Sequence, residues 1–385
     1  MAKGVWRPLS GPSHQVALEI LLDGPLSRAE LSRRVGLSPG SLTRLTKPMV
    51  ESGLLVEVSA GAGDPRVGRP SQPLDIVPGS HHFAGIKLTA DAAVGVLTNL
   101  RAEVIAATER PLTDHTPEHV AALVADLASS LAAELPTRDG LSGIGVTLGG
   151  RVAGPADVRW APFLEWTDVP LGQLLAAHTD VPVVVGNDVL ALTEATHWFG
   201  AGRGVTRFCL LTIGAGIGYG LVVHGQVVDN ADASLGLIGH IPLLPDGPLC
   251  ERGHRGCAMT LLSSAAITGQ VSTALGRPTD YEECLDLAAK GDPIAARIVG
   301  TAGQALGRLI AAAANFTLPE RVILGGEGIR LAEIAQSDVL EGLHAGRDPL
   351  AIDPPIVHLA PDFTEWARGA AVTAIQTFVL GQESN

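Results

Sequence analysis

Residues 206–228 read TRFCLLTIGAGIGYGLVVHGQVV. An apolar run is followed by alternating glycines and a second apolar run, the pattern of a strand, a tight turn and a returning strand. Glycines at a turn let backbone N–H groups close on a phosphate, so Gly214 to Gly220 is a candidate phosphate loop. Tight turns also need glycine with no ligand at all. The same theme occurs about 120 residues earlier, in HHFAGIKLTADAAVGVLTNLRAEVIAATERPL (81–112), read as three strands with tight turns. There the turn is Lys87 to Asp91 and holds no glycine. Helical segments follow each copy, such as EHVAALVADLASSLAAEL (118–135) after the first. Two copies of strand-turn-strand-strand with helices predict a two-lobed α/β body and a ligand cleft between its lobes. The first lobe is expected over 79–187, completed by about 364–385, and the second over 188–363.

Residues 1–78 follow different rules. PSHQVALEILLDG suits a short helix ended by Asp23-Gly24. In SRAELSRRVG, Ser27 and Glu30 match a capping box and Gly36 ends the helix. LSPGSLTRLTKPMVESGLL predicts a third helix with Ser38 as N-cap, Pro39 at its first position, a bend near Pro48 and Gly53 closing it. LLVEV, a Gly-rich turn and RVGRPSQPLDIV then form a wing. The whole is a winged helix-turn-helix. In that geometry Ser38, Ser41, Thr43, Arg44 and Lys47 face the major groove, while Arg66 and Arg69 on the wing reach phosphates or the minor groove. A three-helix protein-interaction module with solvated arginines is the alternative. One head offers little contact area, so a homodimer or tetramer reading two half-sites of double-stranded operator DNA is expected.

Composition agrees. At 385 residues, 17% charged and 46% hydrophobic, the chain supports two to three packed domains and little disorder. Net charge is −13, yet residues 1–78 carry nine Lys and Arg against seven Asp and Glu, so the remainder stands at −15. A slightly basic head on an acidic body suggests an anionic partner for the head alone. Four cysteines in a chain this long are not a disulfide framework and fit a reducing cytosol. MAKGVWRPLS has no apolar signal region and nowhere do 18 apolar residues run unbroken, so a cytoplasmic protein with no membrane span is expected.

The stretch IGHIPLLPDGPLCERGHRGCAMT (238–260) sets His240, Cys250 and Cys257 in a metal-ligating order. Three such ligands leave a tetrahedral zinc one short. Either a ligand has been lost, or His254 completes the set, or the segment is only a Gly-rich loop.

Over nearly its whole length the chain resembles the ROK family of repressors and sugar kinases, whose body has the actin-like, sugar-kinase fold. GNDVLALTEATHWFGAGRG (186–204) is similar to the family's sugar-contacting Asn-Asp segment, LTIGAGIGYGLVVHG (211–225) to its second phosphate loop, and VILGGEGI (322–329) to its adenine-side turn. The His and Cys stretch resembles its zinc signature, and the winged head is the arrangement of its transcriptional repressors. The resemblance implies effector contacts at Gly150, Asn187, Asp188 and His240. It implies a structural zinc held by His240, Cys250, Cys257 and, with Arg252 standing where the family has its middle cysteine, His254.

The departures bear on activity. The family's kinases carry Asp-x-Gly-Gly-Thr on the first strand, where this chain has Lys87-Leu88-Thr89-Ala90-Asp91. The charge is reversed and the close-approach glycines are gone, so ATP-dependent phosphoryl transfer is not expected, although Asp188 occupies the position of the catalytic base. A helix N-cap is the plainer role for Asn187-Asp188. On the sugar side, Leu237 replaces a glutamate, Met259 another, and Phe163 an asparagine. These losses point to an altered effector, such as an amino sugar or sugar phosphate. A sugar-responsive, DNA-binding regulator, in the role of a repressor, is therefore expected. The alternatives are a sugar kinase with a regulatory head and a regulator controlled by a protein partner.

Overall fold

The computed structural model of the protein describes residues 7–58, 72–135, 140–154, 156–230 and 232–381. Arg66 and Arg69, expected on the wing, lie outside the described residues. The head opens with α1 (Pro12–Asp23), which buries Val16, Ala17, Ile20 and Leu21 on one stripe. Helix α2 (Arg28–Val35) starts at a reciprocal capping box, the Ser27 side chain accepting from Glu30 N–H and the Ser27 N–H donating to Glu30. It stops at Gly36, whose φ of 68° is the left-handed cap that favours glycine. After Leu37, Ser38 caps α3 (Pro39–Glu51), accepting from Ser41 N–H at 3.2 Å. Pro48 lies inside α3, yet the helix continues to Glu51. Strands β1 (Leu55–Glu57) and β2 (Leu74–Ile76) pair antiparallel, Leu55 opposite Ile76, and form the base of the wing.

The body begins with β3 (His82–Leu88), β4 (Ala92–Asn99) and β5 (Val104–Pro111), then α4 (Pro117–Ala132) and β6 (Gly143–Leu148). A small three-stranded sheet follows, made of β7 (Arg151–Ala153), β8 (Asp157–Ala161) and β9 (Trp166–Val169), then α5 (Leu171–Ala176), β10 (Val183–Asn187) and α6 (Asp188–Phe199). Next come β11 (Phe208–Ile213), β12 (Ile217–Val223) and β13 (Gln226–Val227), and helices α7 (Ala258–Leu262), α8 (Ser264–Leu275), α9 (Tyr281–Ala289) and α10 (Pro293–Thr317). Strand β14 (Arg321–Gly325), α11 (Arg330–Ile334), α12 (Gln336–Ala345), β15 (Ile356–His358) and α13 (Thr364–Ile375) complete the regular elements described here.

The two five-stranded sheets have orders β10-β6-β3-β4-β5 and β13-β12-β11-β14-β15. In each, two consecutive strands (β3 and β4, β11 and β12) form an antiparallel hairpin, the next (β5, β13) extends it antiparallel, and a later one (β6, β14) adds in parallel on the outer side of the first. The duplicated hairpin of the sequence is thus a duplicated sheet plan. One detail differs from the reading above. The turn of the second hairpin is only residues 214–216, and Gly218 and Gly220 lie within β12. Gly220 is there for close packing: an added Cβ would stand 1.8 Å from Thr193 Oγ1.

The chain forms two compact units, Met1–Ala191 with Trp366–Asn385, and Leu192–Glu365. The head belongs to the first. Leu9 N–H donates to Val379 O at 2.9 Å and His14 Nδ1 meets Leu380 O at 2.8 Å, which tie it to the C-terminal segment. In this unit the first sheet lies between α4 and α13. A Cβ on Gly95 would meet Leu127 of α4 at 2.1 Å, and one on Gly145 would meet Ala370 O of α13 at 1.8 Å. In the second unit α10 and α12 pack backbone to backbone through small residues. A Cβ on Gly307 would lie 2.0 Å from Val339 O, and one on Gly342 2.1 Å from Gln304 O.

Candidate functional site

Helix α3 buries Leu42, Thr46 and Met49 and turns Gly40, Thr43, Arg44 and Lys47 to solvent. That spacing is one helical face. Ser38 is spent on the cap, its hydroxyl also reaching Ser41 Oγ at 3.0 Å, and Thr43 donates to Pro39 O at 3.0 Å. Lys47 lies 3.8 Å from Glu51 with both side chains largely exposed, a pair worth little in water. Two other cations hold the head together. Arg34 of α2 pairs with Glu19 and Asp23 of α1, and Arg28 pairs with Glu57 of β1. The exposed cations left on these helices are Arg33, Arg44 and Lys47.

In the first unit, Gly150, Asn187 and Asp188 come together where β6 and β10 end. Both polar atoms of Asn187 are engaged: its Nδ2 donates to Gly150 O at 2.9 Å, and its Oδ1 accepts Leu190 N–H at 3.1 Å, opening α6. Gly150 has no room for a side chain, since a Cβ would meet Trp160 O at 2.1 Å. Asp188 is buried, 7% exposed, and its Oδ1 accepts Val189 N–H at 2.8 Å. Its Oδ2 accepts from the Nζ of Lys87, itself only 5% exposed. The same ammonium lies 5.3 Å from the centre of the Trp366 ring, a cation–π contact. Beside Asp188, the half-exposed ring of Phe163 lies over Gly149.

The sequence flagged Lys87 only as a charge reversal. Its pairing with Asp188, across 101 residues, and its contact with Trp366 carry no local signature. An unexpected basic residue on a buried strand was the available clue, because a buried ammonium demands a counter-ion.

The fourth expected effector contact, His240, lies in the second unit among the metal-type ligands. His240, Cys250, His254 and Cys257 place their donor atoms within 4.8 Å of one another. Cys250 Sγ stands 3.6 Å from His240 Nδ1, and the two imidazoles meet edge to face with centroids 5.2 Å apart. Glycine makes the loop possible. Gly253, φ 86°, reverses the chain so that His254 O accepts Cys250 N–H at 2.7 Å, and Gly256 admits Leu244 O where a Cβ would stand 1.7 Å away. Arg252 is consequently exposed while His254 turns inward. His254 Nε2 is buried without a hydrogen-bond partner. Burial, with the nearby charge of Arg252, holds the His240 imidazole below its usual pKa. By contrast, burial pushes the Cys209 thiol up to about 12, the mark of an inert core cysteine.

The turn at 214–216 also has an internal partner. Glu327, on the 322–329 segment, accepts Ala215 N–H at 2.6 Å, and a Cβ on Gly214 would lie 2.1 Å from its carboxylate. A carboxylate of the chain itself thus sits against the glycines read as a phosphate loop. Among the described residues no helix is long and apolar enough to cross a membrane.

Comparison with known proteins agrees with this architecture. Residues 83–341 match the ROK family, and residues 18–56 match a winged helix-turn-helix DNA-binding domain. The chain is 29% identical over 317 residues to the DNA-binding transcriptional dual regulator NagC of Escherichia coli K12, covering 79% of this chain and 77% of that protein. It is 36% identical over 192 residues to a glucokinase of Thermotoga maritima, covering 46% of this chain and 61% of the kinase. A solved ROK family transcriptional regulator, a homologue of the E. coli Mlc protein, has a TM-score of 0.80 at 27% identity, covering 97% of this chain and 98% of that one.

Proposed function

The chain belongs to the ROK family, and from that premise we propose that it is a DNA-binding transcriptional regulator of carbohydrate metabolism that answers to a sugar-derived effector and transfers no phosphate. One observation carries the reading: the residue at the catalytic-base position, Asp188, is buried in an ion pair with Lys87. Lys87 puts an ammonium where the family's kinases carry an aspartate for metal and phosphate, and the Glu327 carboxylate against the Gly214 turn stands where an ATP phosphate would have to approach. A capped helix-turn-helix supplies the output that such a body would otherwise lack. The NagC relative, described as a DNA-binding regulator, and the Mlc-like structure support the same reading over most of the chain.

In this reading α3 enters the major groove, with Arg44 and Lys47 meeting DNA, and two heads of a homodimer or tetramer span two half-sites. Acting on an operator places the protein in the cytoplasm. The effector meets Asp188 and its neighbours in the first unit. Zinc fits the His240, Cys250, His254 and Cys257 cluster, whose two thiols and two imidazoles, the His254 ring with an orphaned buried nitrogen, make up the four donors a tetrahedral site needs. Bound there it is structural, fixing the loop that carries His240.

The test is fluorescence anisotropy on DNA from upstream of the protein's own gene, at fixed salt, with a panel of sugars, amino sugars and their phosphates. Sequence-preferring binding that one of these shifts about tenfold is expected, a coupling of about 1.4 kcal/mol. Equal affinity for random DNA would overturn the regulator. The T. maritima glucokinase relative and the retention of Asp188 favour a second reading, a sugar kinase with a regulatory head. ADP release on common hexoses would establish it.

A further inference from the structure

We propose that Lys87 and Asp188 together form a hydroxyl anchor that takes a neutral polyol and turns away an anionic substituent at that point. This rests on the sugar-responsive reading above and narrows it. The argument is one of unfilled hydrogen-bond capacity. A lysine ammonium has three N–H donors, and a carboxylate has about four acceptor sites. Lys87 spends one donor on Asp188 and turns its charge toward the Trp366 ring. Among the described residues Asp188 accepts only from Lys87 and from Val189 N–H. Both groups are nearly buried, with side-chain exposures of 6% and 10%. Spare donors and spare acceptors therefore lie side by side in a place that little water reaches.

A hydroxyl satisfies both at once, donating its hydrogen to Asp188 and accepting from Lys87. A phosphate or carboxylate group accepts from Lys87 but brings a second anion against Asp188. Drawing Lys87 away from Asp188 to receive it would strand a buried carboxylate. The flank suits a sugar carbon frame. One point, the position of a Cβ on Gly149, lies 3.2 Å from Phe163 Cδ2 and 3.4 Å from Asp188 Oδ2, so a half-exposed ring borders the anchor. Thr147, the register partner of Lys87 on β6, adds a buried hydroxyl with no hydrogen-bond partner on the same face of the sheet.

Titration calorimetry on the full chain tests this with matched pairs: glucose and glucose 6-phosphate, N-acetylglucosamine and its 6-phosphate, xylose and xylose 5-phosphate. The neutral member of a binding pair should bind at least tenfold tighter than its phosphate. Lys87→Met should abolish that binding and Lys87→Arg should restore part of it, each variant checked for its native melting transition. A phosphate that binds tighter than its parent sugar overturns the anchor while leaving the sugar-responsive regulator standing. So does a preference for neutral sugars that Lys87→Arg and Lys87→Met leave unchanged. If neither member of any pair binds, the sugar-responsive reading falls, and the anchor with it.

Discussion

His254→Ala is the substitution that most directly tests how the 250–257 loop is held. Zinc ligands at about 2.0–2.3 Å from the metal stand roughly 3.3–3.8 Å from each other in a tetrahedron. Cys250 Sγ and His240 Nδ1 are already at that separation, 3.6 Å, and no donor pair of the cluster exceeds 4.8 Å. Closing on the metal needs movements on the order of 1 Å, well within side-chain freedom. A structural zinc contributes about 10–16 kcal/mol across four donors, so removing one should cost about 3 kcal/mol, on the order of a hundredfold in affinity. Arg252→Cys added to His254→Ala supplies a fourth donor again and should recover part of the loss, since the Gly253 turn keeps residue 252 close by. The assay is zinc content after purification without chelator, followed by competition with a chromogenic chelator. A wild-type protein carrying less than a tenth of an equivalent would refute the argument. So would His254→Ala binding within threefold of wild type, because His254 would then not be a ligand. Where zinc is bound, chelation should lower the melting temperature, by mass action worth about 4 kcal/mol at a thousandfold excess over Kd.

Two further outcomes follow from the head. Ser27→Ala should cost about 1 kcal/mol by removing the N-cap of α2. It should also change the acid limb of stability: the Ser27 hydroxyl and N–H hold the Glu30 carboxyl below its usual 4.5, so their stabilisation is present above that pH and lost as pH falls through the lower folded value. Helix melts followed by circular dichroism from pH 7 to 3 should show a shallower acid decline in the variant. Arg44→Ala and Lys47→Ala should each weaken binding to all DNA sequences and lower the salt slope of log Kd by about one. An unchanged slope for both would take α3 out of the interface.

How much of this was legible in the sequence depended on the range of the rule. The head was readable because its signals are local: Ser27 with Glu30, Gly36, then Ser38 with Pro39, all within one or two turns of what they control. The duplicated hairpin was readable because strand patterning repeats. What lay hidden required distant partners. Gly220 looked like part of a phosphate turn, and only the packing of Thr193 against β12 reveals it as a close-approach residue. For Asn187 the helix-cap role was readable and is seen at Leu190 N–H, but the bond from its Nδ2 to Gly150 O, 37 residues away, left no local trace. The wing cations Arg66 and Arg69 fall outside the described residues.

The departures from the kinase pattern share a logic that no single one reveals. Each removes a group that would serve metal, phosphate or zinc, and each has an internal partner for what remains. Lys87, standing where an aspartate is expected, pairs with Asp188, so that carboxylate has a partner without a metal. Glu327 occupies Ala215 N–H, so the glycine turn keeps its shape without a phosphate. With Arg252 displaced to solvent, His254 turns toward His240 and the two cysteines, so the loop keeps a four-donor set. Random decay of an unused site would leave uncompensated buried charges and orphaned donors, each costing on the order of 1–3 kcal/mol or more. Lys87 and Glu327 each meet a partner within their own unit, and His254 turns toward three further donors, so each keeps the shape of its surroundings. Retained shape of this kind is what the proposed sensor requires.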